Sequence, residues 1–150
     1  MSVLPAGLPA PVPSPDGLDR PYWEGTRRHE LWMQNCNACG TWQWGPEWIC
    51  HACRSFDVGW QQVAPMGRIY SWERIWHPVN PVLASACPYT VLLVEFPEAG
   101  GIRTVGNLVG DATQPFNIGD EVEAVFEDHN DDAKTPFTLV QWRVVTPIGV

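Results

Sequence analysis

Basic charge is scarce in this chain of 150 residues: nine lysines and arginines stand against seventeen aspartates and glutamates, for a formal net charge of −8. Such a balance argues against a protein whose main work is to neutralise nucleic-acid phosphate, which needs a basic face. No run of about 18 apolar residues occurs, so nothing is expected to span a membrane. The first residues lack the positive and apolar segments of a secretory signal, and the expected compartment is the cytoplasm. A glycine-rich phosphate loop is missing. No nucleophile, base and orienting group can be assembled into a catalytic set, so no catalytic residue is assigned.

What remains is enough for one compact domain with a small module attached, since a chain of this length can bury roughly 70% of its unfolded surface. Charge is divided unevenly along it. Residues 1–75 hold seven acids and six bases, and residues 76–150 hold ten acids against Arg103, Lys134 and Arg143. Any phosphate-bearing ligand would be met by the first half, through Arg20, Arg27, Arg28, Arg54, Arg68 or Arg74, although surface arginines are usually solvated. Nine tryptophans, Trp23, Trp32, Trp42, Trp44, Trp48, Trp60, Trp72, Trp76 and Trp142, are many for this size. Some are expected in the core and some at an interface, where indole is a favoured anchor.

Residues 1–19 carry five prolines (Pro5, Pro9, Pro11, Pro13 and Pro15) and read as an extended arm. From Arg20 to about Leu31 the spacing predicts a short helix, with Pro21 in its first turn and Arg27 and Arg28 near its end; Gly25 weakens it. A strand follows over residues 31–35.

The strongest local signal comes next. Cys36-Asn37-Ala38-Cys39-Gly40 and Cys50-His51-Ala52-Cys53 form two Cys-x2-Cys knuckles separated by ten residues. Four thiolates so placed can close a tetrahedron about one metal ion, and four protein ligands with no open position describe a structural rather than a catalytic zinc site. Cys36, Cys39, Cys50 and Cys53 are the expected ligands, in a rubredoxin-like ribbon whose knuckles a hairpin joins. Gly40 gives the first knuckle the permissive backbone such a turn wants, whereas Arg54 occupies the equivalent place in the second. Iron in the same four thiolates would permit electron transfer, and paired disulfides are disfavoured without a secretory signal. His51 is read as a surface residue, the fifth cysteine Cys87 as a buried or idle thiol rather than a nucleophile, and His77 and His129 as lacking a partner pattern.

From Val63 onward the chain reads as β: residues 68–77 (RIYSWERIWH), 89–96 (YTVLLVEF), 102–109 (IRTVGNLV), 121–127 (EVEAVFE) and 137–145 (FTLVQWRVV). Gly106 suggests a bulge or a barrel corner. In the fourth segment Val122, Ala124 and Phe126 fall on one face and Glu121, Glu123 and Glu127 on the other. Residues 128–132 are expected to form a solvated acidic hairpin tip, without the oxygen-ligand order of a calcium loop. Five strands with little helix predict a partly closed barrel of the OB type. The chain therefore divides into an arm (1–19), a helix plus zinc ribbon (20–61) and a barrel (62–147), mainly β throughout.

The order of these parts, with the stretches CNACG, CHAC, MGRIYSW, PYTVLLVEF, NIGDEVEAVFED and TPFTLV, resembles the domain-of-unknown-function 35 family, proteins with a zinc ribbon followed by an acyl-CoA-associated OB-fold. The likeness covers about residues 20–145 and departs at Arg54 and at the tryptophan-rich ribbon. It implies a non-catalytic accessory subunit that supports a thiolase-fold, lipid-transfer-protein-like enzyme acting on CoA thioesters, in the specific version an aldolase that shortens steroid or sterol side chains. It also implies that the CoA thioester is bound mainly by the partner, with thiolase, acyltransferase or hot-dog hydratase complexes as alternatives. The near-neutral ribbon half, through Trp42, Trp44 and Trp48, is the expected docking side, and the acidic barrel the solvated side. Competing readings are a single-stranded nucleic-acid binder, for which the charge is wrong, an iron electron carrier, and a free-standing acyl-CoA hydrolase.

Overall fold

The computed structural model describes residues 12–14, 17–130 and 135–145; most of the proline-rich arm and part of the acidic tip lie outside them. The first element is a helix, α1 (Arg20–Thr26), which stops well short of Leu31. His29 adopts the left-handed conformation with φ 59°. The Glu30 N–H bonds to the Gly25 carbonyl at 3.0 Å and the His29 N–H to the Thr26 carbonyl at 2.9 Å. This is a Schellman stop, which satisfies terminal carbonyls while reversing the chain. Gly25 serves that reversal: a Cβ there would lie 2.4 Å from the Trp32 ring.

The reversed chain enters β1 (Leu31–Cys36), the centre of a three-stranded antiparallel sheet in the order β2-β1-β3, with β2 at Trp42–Gln43 and β3 at Val58–Val63. Strand β3 starts five residues before the expected onset of β structure, paired from Val58 opposite Cys36 to Val63 opposite Leu31. Then β4 (Met66–Ile75), β5 (Tyr89–Phe96), β6 (Ile102–Asn107), β7 (Glu121–His129) and β8 (Phe137–Val144) form an antiparallel sheet in the order β6-β5-β4-β7-β8. Strand β4 serves two neighbours, and a register shift between Ile69 and Ser71 supplies the bend this demands. The sheet nearly closes into the expected OB barrel. Leu108 bridges Trp142, the Val109 N–H donates to the Trp142 carbonyl at 2.8 Å, and the Asn107 N–H donates to Gln141 Oε1 at 2.7 Å.

Trp142 is fully buried at this seam, edge-on to Phe96 at 5.8 Å. The β5–β6 register runs unbroken through Gly106, so the residue is no bulge; it marks a close approach, where a Cβ would lie 2.7 Å from both the Trp142 indole and the Val140 carbonyl oxygen. One apolar core joins the two sheets: Leu31, Met33 and Val63 pack with Ile69, Leu92, Val94, Phe96, Leu108, Val122 and Trp142.

Strand β7 corrects three expectations. Glu127 is buried rather than solvent-facing, because the pairing continues to His129 opposite Phe137 and surrounds it with its own hairpin. Its oxygens are satisfied by His129 Nε2 at 2.8 Å and Gln141 Nε2 at 3.0 Å, which is what makes burial tolerable. His129 is therefore partnered, and it stacks on Phe137 at 4.7 Å. Asp128 stays exposed, but it is part of the strand and not of a free tip. It belongs to β7, accepts from the Thr138 hydroxyl at 2.7 Å and lies 3.1 Å from His29 Nε2, whose ring stacks on Phe126.

Two measurements follow from these contacts. Gly106→Ala is expected to cost about 1–3 kcal/mol in urea unfolding, since neither the indole nor the carbonyl can withdraw. Partial burial pushes the Asp128 carboxyl up, but hydrogen bonds from Thr138 and His29 outweigh it and hold the group below the usual carboxylate range. A lowered folded value contributes stability above the ordinary pKa of about 4, lost as pH falls through the folded value. Asp128→Asn should thus lower the melting temperature at neutral pH and converge on the wild type by about pH 2; an equal deficit at both would refute the linkage.

Candidate metal centre

The four knuckle cysteines converge at the far end of β1 from the barrel core. Their sulfur atoms all lie within 4.8 Å of one another, with Cys36 and Cys53 3.6 Å apart and Cys39 and Cys50 3.7 Å apart. A tetrahedron with Zn–S bonds of about 2.3 Å has sulfur–sulfur edges of about 3.8 Å, so the donor set fits one zinc ion. Cys36 and Cys50 are buried, Cys39 and Cys53 exposed.

The two knuckles are copies of one another in backbone terms. The Gly40 N–H donates to the Cys36 carbonyl at 2.8 Å, and the Arg54 N–H to the Cys50 carbonyl at 2.9 Å. The Cys36 N–H reaches Thr41 and the Cys50 N–H reaches Ser55, both at 2.9 Å. Each turn ends in a left-handed residue, Gly40 at φ 72° and Arg54 at φ 62°. Arg54 thus adopts the conformation its position demands without being glycine, at a local cost of roughly 1–2 kcal/mol.

Electrostatics at the cluster are those of crowded sulfur. Hydrogen bonds from the Thr41 hydroxyl and backbone hold the Cys39 thiol down to about 6, and the Cys53 and Ala52 backbone N–H groups lower Cys50 against the burial that opposes them. Cys53 receives a favourable backbone hydrogen bond from Ser55, yet the Cys39 sulfur, burial, and the sulfurs of Cys36 and Cys50 together push it up to about 12. Four thiolates at this spacing need a cation among them.

A buried set of amides that the sequence reading passed over holds the surrounding loop. The Gln34 side chain brackets Glu47, donating to its carbonyl at 2.9 Å and accepting from its N–H at 3.0 Å, and also bonds Gln43. Gln43 accepts from the His51 N–H at 3.3 Å, and Asn35 donates to the Gly40 carbonyl at 2.9 Å. The polar positions in MQNC and WQW were their signal: amides inside strands of an apolar sheet mark buried hydrogen bonding.

The remaining candidates are scattered. Trp42 is half-buried against the turn at Gly100, and Trp44 meets Tyr22 edge-on at 4.7 Å, both packed on the core. Trp48 is 69% exposed. His51 and His77 are exposed, and Cys87 is partly buried and outside the sulfur cluster. Among the described residues no helix is long and apolar enough to cross a membrane.

Comparison with known proteins places names beside this geometry. Two family models match in tandem: "ChsH2, rubredoxin-like zinc ribbon domain" over residues 23–59 and "ChsH2, C-terminal OB-fold domain" over residues 60–127. A DUF35 domain-containing scaffold protein of Methanothermobacter thermautotrophicus is 32% identical over 67% of this chain and 74% of its own length. Its counterpart in Methanocaldococcus jannaschii is 28% identical over 65% and 67%. Among solved structures, a chain of an Ltp2-ChsH2(DUF35) aldolase superposes with a TM-score of 0.72 at 32% identity, covering 90% of this chain and 98% of that one. A DUF35-family protein of unknown function from Sulfolobus solfataricus shares the fold at 12% identity, with a TM-score of 0.57 over 87% of each chain.

Metal analysis of purified protein should find one zinc per chain and no visible iron–thiolate absorption. Cys36→Ala or Cys50→Ala should lose the metal and expose the Gly40 and Arg54 amides to rapid hydrogen exchange, because metal binding is folding energy for so small an element. Metal loss with both amides still protected would contradict that.

Proposed function

Because this chain belongs to the DUF35 family, we propose that it is a scaffold subunit of a hetero-oligomeric aldolase whose chemistry resides in an Ltp2-like partner. The observation that carries the reading is the aldolase match: at 32% identity this chain covers 98% of the matched one, so the likeness is to a whole component of that assembly. The naming of the curated relatives as scaffold proteins supports the same role.

The site chemistry agrees. The donor set at the ribbon offers four cysteine sulfurs, and when filled with zinc it would supply a structural crosslink with no open coordination position. Cys36, Cys39, Cys50 and Cys53 are the ligands we assign. The partner is taken to be thiolase-like, and its substrate a CoA thioester with a steroid or sterol side chain, cleaved by retro-aldol chemistry at the partner's own residues; family resemblance supports this finer reading. Of the ribbon tryptophans, Trp48 is the one exposed enough to meet a partner.

Nucleic-acid binding finds less support in the barrel's charges. Arg103 pairs with Glu95 at 3.1 Å, Arg143 with Glu123 at 3.1 Å and Arg68 with Glu121 at 3.8 Å, so these bases face acids rather than forming a cationic stripe.

Co-expression with an Ltp2-like subunit from the same source tests the role. A complex stable through size exclusion is expected, with CoA-thioester aldolase activity in the complex and none in this chain alone. Separate elution together with unchanged partner activity would overturn it.

A further inference from the structure

Counting charge by halves makes the barrel the solvated side, yet the barrel's acids are not spread evenly. Between Arg74 and Glu95 lie twenty residues, 75–94, without an aspartate, glutamate, lysine or arginine. In the structure this stretch is the end of β4, the β4–β5 connection with its 3-10 helix (Pro81–Ala86), and most of β5. The 3-10 helix has no buried residue. Trp76 is 58% exposed, Val82 51%, and Val79 wholly exposed.

The sheet beside this loop continues the same character. Strand β5 alternates strictly between buried and half-buried positions. Its second face presents Tyr89, Val91 and Leu93 where a solvated strand would carry polar groups. Ile75 lies opposite Tyr89 and the exposed Val105 opposite Leu93, while the exposed Glu73 lies opposite Val91 and bounds the uncharged area on the sheet. The loop, with Ile75 and Tyr89 at its base, thus makes an exposed apolar surface that has no formal charge of its own and carries a tryptophan, the composition of a protein interface core rather than of a free surface.

We infer that this surface, residues 75–89, is where the chain docks its catalytic partner, and that the partner's matching face is apolar at its centre and basic at its rim. The inference rests on the scaffold reading and assigns it a surface. Charge selects the occupant. The half of the chain that holds the patch carries ten acids against three bases, so two copies of this chain, or an anionic lipid surface, would meet with net repulsion. A partner with a lysine- and arginine-rich rim would be steered to it.

The test uses the full chain and an Ltp2-like subunit from the same source. Trp76→Ala should weaken binding about tenfold or more, and the pair Val79→Asp and Val82→Asp about a hundredfold, as for buried anchors of an interface. Far-ultraviolet circular dichroism should stay unchanged. Complex formation should slow amide exchange across residues 76–88. Ile118→Asp, at a residue of similar exposure (67%) outside the patch, should bind like the wild type. Wild-type affinity in the Val79/Val82 pair, or an equal loss with Ile118→Asp, overturns the assignment while leaving the scaffold reading intact. Self-association of the chain that Trp76→Ala abolishes, or Trp76-dependent sedimentation with phosphatidylcholine vesicles, also overturns it. If the wild type fails to bind the subunit at all, the scaffold reading falls, and this inference with it.

Discussion

The ribbon and the barrel cannot be positioned independently, because they share their apolar interior. Ala64 and Pro65 alone separate β3 from β4, and Leu31, Met33 and Val63 from the first sheet pack into the cluster that holds Ile69, Leu92, Val94 and Trp142 from the second. Separating the two sheets would expose all of these at roughly 1.5–3 kcal/mol for each large side chain. Helix α1 is tied into the same unit at both ends: Tyr22 meets Trp44, and His29, at the helix stop, reaches Asp128 on β7. The consequence is that the first sheet and the barrel are held as one unit, and a fixed relation between surfaces is what a scaffold requires.

That core does not extend to the knuckles. Around the sulfur cluster the sheet narrows to the two-residue β2, and apolar burial gives way to amides. Gln34, Gln43 and Asn35 fix the loops by hydrogen bonds, and the four sulfurs close the tip. Two kinds of cohesion are therefore stacked along β1, hydrophobic at its Leu31 end and metal-and-amide at its Cys36 end. The strand's burial pattern, one half-buried residue among five buried, records both.

Features set by neighbours in sequence were legible, and features set by neighbours in space were not. The knuckles were readable because Cys-x2-Cys geometry is local, and β5 because its apolar run admits few alternatives. Strand β3 was hidden: VGWQQV alternates weakly, and what makes it a strand is pairing with β1, more than twenty residues upstream. Glu127 looked solvent-facing by alternation alone, since its partners His129 and Gln141 enter through the hairpin. The ribbon tryptophans were ambiguous for a related reason. Indole suits a core or an interface equally, and only the positions of Tyr22 and Gly100 show that Trp44 and Trp42 pack, half-buried, against the core.

The same distinction bears on function. Polar groups that would draw attention in a search for an active site are engaged in holding the fold: Asp128 with His29 and Thr138, Glu127 with His129 and Gln141, Arg74 with Thr90 and the Ala112 carbonyl. A cleft enzyme keeps some of its titratable groups uncommitted and aimed at a substrate. Among the described residues the barrel also exposes an uncharged apolar loop with Trp76, Val79 and Val82, on a chain whose charge elsewhere is strongly negative. Exposed apolar area of this kind fits another protein's surface. On the proposed scaffold reading the function of the chain lies in what it holds together, and the net negative charge of the barrel half would steer that contact as well as keep the barrel soluble.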